Sequence, residues 1–462
     1  MPEQREHWAS RMGFILAAAG SAIGLGNVWK FPYIAGENGG AAFVFVYLIC
    51  IAVIGLPVLI AEVLMGRTTE RNPVGAFKKL SGSRFWTGVG AVGVVAGLAI
   101  LSFYSVVAGW SLGYIVESVR GAFYDLESSG AAGNHFIALT SNIPWIVGFH
   151  AMFFLVTMTV VYAGVQNGIE RGSKIMMPVL FVLLIILVIR GLTLPGSEKG
   201  LAFLWNPDWS KISGQAVLIA LGHAFFTLSL GMGAMMTYGS YMSRKDSIPG
   251  AALQIVALDT VIALLAGVAI FTAVFATGQD PATGPGLIFH TLPFVFSRMP
   301  GGYFFGALFF VLLTIAALTS AISLLEVVVA FFVDELKWLR HRAVLIVGGI
   351  AFSLGIPSAL SFNAMADARL FGKTFFDLVD FLASNILLPL GGLFISVFVA
   401  WVWGLDRSIE KLKEGAEDLF ARFRWRMDVW KTFLKYLSPI LIFLVLLNSI
   451  GLLTRLIDWV FP

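Results

Sequence analysis

Charged residues are scarce in this chain. Asp, Glu, Lys and Arg make up 13% of its 462 residues, whereas a soluble protein needs about 25% to cover its surface. Hydrophobic residues reach 58%, and the mean hydropathy is +0.86. This balance excludes a soluble globular protein and indicates an integral membrane protein.

Residues that carry enzyme chemistry are equally sparse. Cys50 is the only cysteine, so an intramolecular disulfide is impossible. The six histidines are scattered and lack the spacing of a metal-binding cluster. The sequence contains no HExxH, Walker A or GxSxG motif. We therefore expect no catalytic residues and no enzymatic activity.

Eleven apolar segments are long enough to cross a bilayer as helices, which takes about 20 residues. They are 11–36 (span 1), 41–65 (span 2), 85–118 (span 3), 145–164 (span 4), 172–192 (span 5), 214–243 (span 6), 248–276 (span 7), 301–333 (span 8), 343–361 (span 9), 375–403 (span 10) and 432–459 (span 11). The longest predict tilted or broken helices. Span 1 is also too long for a cleavable signal peptide, so we expect none.

Basic residues are distributed unevenly between the spans. With the N-terminus in the cytoplasm, 22 of the 31 basic residues lie on the cytoplasmic side, namely Arg5, Arg11, Arg67, Arg71, Lys78, Lys79, Arg84, Arg171, Lys174, Arg244, Lys245, Lys337, Arg340, Arg342, Arg407, Lys411, Lys413, Arg422, Arg424, Arg426, Lys431 and Lys435. This excess predicts a multi-pass protein of the inner (plasma) membrane with a cytoplasmic N-terminus and an external C-terminus. The net charge of +4 indicates topology and not a nucleic-acid partner.

Span 1 contains the unusual stretch GSAIGLGNVWKFP, residues 20–32. Each glycine weakens a helix by about 1 kcal/mol relative to alanine. Exposed main chain is tolerated at membrane depth only where it is buried in protein or lines a cavity. The stretch therefore indicates either close helix packing through Gly20-xxx-Gly24 or a break that offers main chain to a ligand.

Span 6 is interrupted in a similar way by FFTLSLGMGAMMTYGSY, residues 225–241. Spans 1 and 6 are the first members of two groups of five spans, and the odd number inverts the second group in the membrane. Matched interruptions in corresponding helices favour a transporter site between inverted repeats. At such a site, half-helix N-termini attract a substrate carboxylate and freed carbonyls coordinate a cation.

The stretches REHWASRMGFILAAAGSAIGLGNVWKFPYIAGENGG, FFTLSLGMGA, AALTSAIS, FFVDEL and FFDLVDFLASN resemble the neurotransmitter:sodium symporter family, especially its bacterial amino-acid members. The resemblance covers essentially the whole chain. It implies one all-α transporter domain (1–462) with two inverted five-helix repeats (11–192 and 214–403), broken helices 1 and 6, and an additional helix (432–459). It also implies sodium-coupled import of neutral hydrophobic α-amino acids by alternating access. The oligomeric state stays open.

The resemblance implies two sodium sites built from oxygen ligands, which suit a hard cation. The first would use the Ala22 carbonyl, Asn27, Thr227, Asp259 and the substrate carboxylate. The second would use the carbonyls of Gly20, Ile23 and Ala316 and the hydroxyls of Thr319 and Ser320. Interhelical hydrogen bonding is the alternative role for Thr319 and Ser320.

The sequence departs from the family pattern at its anion site. Many members carry asparagine at the position of Asp259 and a chloride-binding serine at the position of Ala263. An ionised aspartate inside the membrane is costly unless it is paired. We therefore expect Asp259 to replace the chloride charge, with a protonated structural aspartate as the alternative. His223 either couples proton movement or is simply hydrogen-bonded, and Glu62 is expected to brace the unwound part of span 6.

The resemblance implies a substrate pocket lined by Ser21, Ala22, Leu25, Gly26, Ile100, Tyr104, Phe226, Thr227, Ser229, Met232, Ser320 and Leu324. Its side-chain compartment is apolar, and an unpaired charge there would cost several kcal/mol. Gly24 stands where amine-carrying members have aspartate, and the space left suits a substrate that brings its own carboxylate. Met232 is either a flexible filler that accepts several side-chain sizes or plain packing.

The resemblance also implies gates. On the outside, Tyr104 and Phe226 would cover the substrate while Lys30 approaches Asp380. On the inside, Arg5 would pair with Asp334, with Trp8 packing nearby and Tyr241 supporting the pair. Gly168 and Pro178 would let span 5 unwind, or they mark an ordinary helix start.

Other functions receive less support from the sequence. A proton-coupled or exchange carrier on the same fold remains the alternative within transport. A channel is disfavoured because nothing resembles a selectivity filter. A receptor is disfavoured because no large soluble domain is present.

Overall fold

The computed structural model describes residues 6–124, 126–422 and 424–453. Within these ranges the chain forms helices and no β-strand, apart from one bridge between Leu370 and Lys373. Nine helices of the described chain are long and apolar enough to cross a membrane, or ten if the bent pair in span 1 counts as one. The predicted all-α membrane architecture is confirmed at this level.

The predicted spans match these helices closely, except that the helix of span 11 is Trp425–Ser449 instead of 432–459. The helices are Ala41–Thr69 (span 2), Arg84–Val119 (span 3), Ile143–Tyr162 (span 4), Val165–Leu192 (span 5), Ile248–Ala276 (span 7), Gly302–Asp334 (span 8), Arg340–Leu360 (span 9), Phe375–Lys413 (span 10) and Trp425–Ser449 (span 11). Span 10 runs beyond its predicted end because the polar helix Leu405–Lys413 follows a turn at Gly404, where φ is 93°. The predicted residues 454–459 of span 11 lie outside the described ranges.

Span 1 is broken, as its glycine pattern predicted. Span 1a, Arg11–Ala22, and span 1b, Gly26–Glu37, meet at an angle of 46°. Ser10 caps span 1a by accepting a hydrogen bond from the amide of Gly13. The helix stops because Ile23 adopts an extended conformation, with ψ of 99°.

Span 6 is broken more widely. Span 6a, Gly214–Thr227, and span 6b, Ala234–Gly239, are separated by six residues without regular helix, so neither piece has membrane-crossing length. Gly231 and Gly233 have φ of 83° and 77°, a region that glycine enters without strain. Ser229 also has a positive φ of 54°, which is uncommon for a residue with a side chain.

Several shorter helices escaped the sequence analysis because it searched for segments of membrane-crossing length. Among them are Pro73–Ser81, Ser129–Ser141, Ser197–Trp205, Leu287–Ser297 and Glu417–Arg422. Local signals for two of them are present. Asn72 caps the first, ahead of a proline at its first position, and Ser128 caps the second.

Spans 3 and 8 are the most deeply buried of the long helices, whereas spans 4 and 11 expose most of their apolar residues, as expected of helices that face lipid. Span 2 packs closely against span 6b. A Cβ on Gly66 would overlap the Met236 carbonyl, and a Cβ on Gly239 would lie 2.6 Å from the Val63 carbonyl oxygen. The two helices therefore approach through bare main chain.

This packing predicts a loss of stability when either glycine gains a methyl group. We expect Gly66→Ala and Gly239→Ala to cost about 1–3 kcal/mol each, because neither helix backbone has room to move aside. The measurement is the apparent melting temperature of the detergent-solubilised protein. Gly88→Ala in span 3 is the control, since a Cβ there meets no atom within 4 Å. Equal melting temperatures for all three variants would contradict this packing.

Candidate functional site

The break in span 1 is held open by polar contacts to its main chain. The amide of Leu25 donates to the Tyr104 hydroxyl at 3.1 Å, and the amide of Gly24 donates to Asn27 Oδ1 at 3.1 Å. A Cβ on Gly24 would collide with Ser320 Oγ and lie 2.7 Å from the Tyr104 hydroxyl. The space beside Gly24, which we expected to be open, is therefore filled by two hydroxyl groups of the protein.

Span 8 faces span 1a with a pair of hydroxyl groups. Thr319 Oγ1 lies 3.0 Å from the Ala316 carbonyl oxygen and 3.4 Å from that of Ile23. Ser320 Oγ lies 3.4 Å from the Gly20 carbonyl oxygen and 3.1 Å from that of Ser21.

These contacts gather the five oxygen atoms predicted for a second sodium site. The contacts to Gly20, Ser21 and Ile23 are also interhelical hydrogen bonds, which was the alternative role for the two hydroxyls, whereas the contact to Ala316 lies within span 8.

A second cluster surrounds Asp259 of span 7, which is fully buried. Asn27 Nδ2 donates to Asp259 Oδ1 at 2.8 Å, and Thr227 Oγ1 donates to the same oxygen at 3.1 Å. No ion pair to Asp259 occurs within the described part of the chain. Ala22, the fourth predicted residue, ends span 1a, where helix carbonyls lack intrahelical donors.

A small cavity lies between the two breaks. Ten of the twelve predicted pocket residues line it together with Gly24, namely Ser21, Ala22, Gly26, Ile100, Tyr104, Phe226, Ser229, Met232, Ser320 and Leu324. Its volume is about 20 Å³, which is room for about one water molecule. None of these lining residues is charged. Of the two remaining predicted residues, Leu25 lines a second cavity that is described next, and Thr227 belongs to the Asp259 cluster.

A second cavity is lined by Tyr104 and Phe226 together with Lys30 and Asp380, and we call it the outer cavity after its predicted side of the membrane. The Lys30 ammonium lies 4.2 Å from the centre of the Phe226 ring. It forms no described ion pair with Asp380, which instead accepts a hydrogen bond from Ser384 Oγ at 2.8 Å. Lys30 and Asp380 thus share the cavity without direct pairing.

Of the residues predicted for the inner gate, Arg5 lies outside the described residues. Its predicted partner Asp334 accepts hydrogen bonds from the amide and side chain of Asn72, at 2.9 Å and 3.1 Å. Trp8 packs as predicted, with its indole nitrogen donating to the Tyr238 carbonyl at 2.9 Å. The Tyr241 hydroxyl donates to Glu326 at 2.7 Å.

Glu326 belongs to a buried ion pair that the sequence analysis did not predict. Arg340 Nη2 lies 2.6 Å from Glu326 Oε2, and Arg340 Nε also donates to the Val161 carbonyl. No local pattern signals this pair, because the two residues lie on either side of a turn between spans.

Two further buried residues bear on the expectations for the breaks. Glu62 Oε1 accepts a hydrogen bond from the amide of Gly231 at 2.6 Å, which confirms the predicted brace on span 6. His223 packs against Phe31 and Tyr47, and neither of its ring nitrogens has a hydrogen-bond partner among the described residues. The hydrogen-bonded role, one of the two alternatives for this histidine, is therefore not found among the described residues.

Span 5 is helical through both residues that were predicted to let it unwind. Gly168 lies in the first turn of Val165–Leu192, and a Cβ there would overlap the Val160 carbonyl. Pro178 lies inside the helix. Gly168 thus fits an ordinary helix start in this conformation, whereas Pro178 lies well past that start, and unwinding stays a prediction.

Known proteins resemble this chain over most of its length. The chain matches the Sodium:neurotransmitter symporter family over residues 5–125 and 140–462. An uncharacterized sodium-dependent transporter of Bacillus subtilis (strain 168) is 42% identical over 98% of this chain and 100% of its own length. A sodium-dependent transporter of Haemophilus influenzae is 35% identical over 97% of this chain and 99% of its own.

A solved structure is also similar to this chain in fold and sequence. The crystal structure of MhsT in complex with L-phenylalanine is similar to this chain, with a TM-score of 0.88 and 45% identity over 96% of this chain and 100% of that one. These relatives are transporters and not enzymes. The chain belongs to the sodium:neurotransmitter symporter family, whose members are multi-pass membrane transporters.

Proposed function

We propose that this protein is a sodium-coupled symporter that imports neutral hydrophobic α-amino acids across the plasma membrane by alternating access. The observation that carries the proposal is a buried carboxylate, Asp259, which has no ion pair among the described residues and binds Asn27, the residue that follows Gly26 of the uncharged cavity. We expect a sodium ion to bind at Asp259 and a zwitterionic substrate to bind in the cavity. The substrate carboxylate would then coordinate the sodium ion, so that each stabilises the binding of the other.

The substrate class follows from the cavity lining. Ile100, Met232 and Leu324 offer only apolar surface to a substrate side chain, and a charged one would remain unpaired. The substrate carboxylate would be held by the freed amides at the break and by the Tyr104 hydroxyl. The MhsT complex with L-phenylalanine supports this class. Met232, between two glycines, has the freedom to accept side chains of several sizes.

Two sodium ions are proposed as co-substrates. The first would bind at Ala22, Asn27, Thr227 and Asp259 and share the substrate carboxylate, so that each ligand raises the affinity for the other. The second would bind at Gly20, Ile23, Ala316, Thr319 and Ser320. Each sodium entering down a potential of 100 mV contributes about 2.3 kcal/mol to uptake.

Chloride is not required in this proposal. Asp259 supplies one negative charge beside the first sodium, and Ala263 offers no hydroxyl to hold an anion. The alternative, a protonated Asp259, also satisfies its contacts with Asn27 and Thr227. Sodium binding without chloride distinguishes the two, because a neutral aspartic acid leaves the sodium charge uncompensated.

We further propose the finer architecture given by the sequence. The interrupted span 6 would complete eleven spans arranged as inverted repeats 11–192 and 214–403 with an additional helix 432–459, all in one domain. The N-terminus would be cytoplasmic and the C-terminus external.

The gates remain part of the proposal. Tyr104 and Phe226 would close the outer side under Lys30 and Asp380. Arg5, Asp334, Trp8 and Tyr241 would close the inner side. Unwinding of span 5 between Gly168 and Pro178 would admit water to the second sodium.

The first test is uptake into proteoliposomes. With an inward sodium gradient and chloride replaced by gluconate on both sides, we expect uptake of radiolabelled hydrophobic amino acids, because Asp259 provides the compensating charge. Asp259→Asn should lower this uptake at least about tenfold, which corresponds to about 1.4 kcal/mol. Asp208→Asn, at an exposed aspartate, is the control. Uptake that needs chloride would overturn the role of Asp259, and uptake indifferent to sodium would overturn symport.

The second sodium site has its own test. Thr319→Val keeps the shape of the side chain and removes the hydroxyl, so we expect the sodium concentration for half-maximal uptake to rise about tenfold. Thr272→Val in span 7 is the matched control, because that hydroxyl donates only within its own helix, to Val268 and Ala269. An unchanged sodium dependence in Thr319→Val would assign its hydroxyl to helix packing alone.

A further inference from the structure

Arg67, at the cytoplasmic end of span 2, is a charged residue whose burial the transport site does not explain. It is 1% exposed, although basic residues at span ends normally reach water. Its guanidinium donates only to main-chain oxygens: Nη1 to Asp246 at 2.8 Å and Glu414 at 3.0 Å, and Nη2 to Lys411 at 2.5 Å. The side chain thus joins three segments of the chain.

Two of the acceptors lie at the end of the helix Leu405–Lys413, which continues span 10. The C-terminal end of a helix leaves carbonyls without donors and carries partial negative charge, so a buried guanidinium is well placed there. The third acceptor, Asp246, lies in the loop between spans 6 and 7. A Cβ on Gly415, whose φ is 74°, would lie 2.6 Å from the Lys245 carbonyl oxygen. The loop and the end of span 10 therefore touch directly at Arg67.

The start of span 7, directly after this loop, contacts span 1a. Arg11, the first residue of span 1a, lies with its guanidinium 3.1 Å from the Cβ position of Gly250, at the start of span 7. Burial raises the pKa of Asp246, while the charges of Arg11 and Arg67 oppose this effect. Span 1a, the loop and span 2 are thus connected through neighbouring side chains on the cytoplasmic face.

We propose that Arg67 is a positioning residue for transport, a strap that fastens spans 1a, 2 and 6b to the end of span 10 and holds the inward path closed. This inference rests on the proposed function, because only alternating access requires that path to open. The strap uses main-chain acceptors in a forked geometry that a lysine ammonium cannot reproduce. Opening toward the cytoplasm requires these hydrogen bonds to break or the end of span 10 to move with Arg67.

The test uses two single-cysteine reporters in a Cys50→Ala background. Ala17→Cys reports the inner path: it lies on the face of span 1a between Gly13, which abuts Glu170 of span 5, and Gly20, which abuts Thr319 of span 8. Val107→Cys reports the outer path because Val107 lines the outer cavity. Labelling rates with a water-soluble thiol reagent are measured on the full-length protein, with and without sodium.

We expect Arg67→Gln to raise labelling of Ala17→Cys at least about tenfold, because several hydrogen bonds from a charged donor are lost together. Labelling of Val107→Cys should fall at the same time. Arg67→Lys should lie between Arg67→Gln and the parent. Arg244→Gln, which removes an exposed pair with Glu70, is the control and should match the parent.

The outcomes separate the possible failures. Labelling that rises at both reporters, or that equals the Arg244→Gln control, overturns the strap and leaves Arg67 a purely structural residue. Labelling that ignores sodium in the parent overturns the proposed function instead. If Arg67→Gln does not fold, Gly415→Ala opens the same junction from the other side, because its methyl group meets the Lys245 carbonyl. As in Arg67→Gln, labelling should rise at Ala17→Cys and fall at Val107→Cys.

Discussion

The structure depends on one constraint: main-chain polar groups freed inside a membrane must find partners within the protein, because hydrocarbon offers none. The breaks in spans 1 and 6 free several such groups at the same depth. Tyr104 accepts the Leu25 amide, Glu62 accepts the Gly231 amide, and Ser229 and Ser320 donate to the Ser21 carbonyl. Spans 2, 3 and 8 therefore assemble around the breaks to supply the missing partners.

This constraint links the fold to the chemistry of the site. Groups that satisfy the broken helices in this conformation are mostly oxygen atoms, and oxygen atoms are also what sodium binds. The hydroxyls of Thr319 and Ser320 serve as interhelical donors here, and the same atoms belong to the proposed second sodium site. The same hydroxyls can thus form interhelical hydrogen bonds in this conformation and coordinate sodium in another step of the proposed transport cycle.

Much of this arrangement was predictable from local sequence. The glycine clusters in spans 1 and 6 predict breaks because they act through main-chain geometry, which needs no knowledge of neighbours. The lining of the cavity and the grouping of Asn27, Thr227 and Asp259 came from the family resemblance, since residues from three different spans meet there. The ion pair of Glu326 with Arg340 and the burial of Arg67 were missed. Both depend on how segments that are distant in sequence pack together. A basic residue at the end of a span has the same sequence pattern whether it is buried or exposed to solvent.

The small volume of the central cavity has a consequence for selectivity. A space for about one water molecule cannot admit an amino acid side chain unless Phe226, Met232 or the helices themselves move. The cavity must therefore widen for each substrate, and a larger side chain requires a larger and rarer movement of these residues or helices. For the proposed hydrophobic amino-acid substrates, discrimination would then depend on how fast the protein admits them as well as on how tightly it holds them.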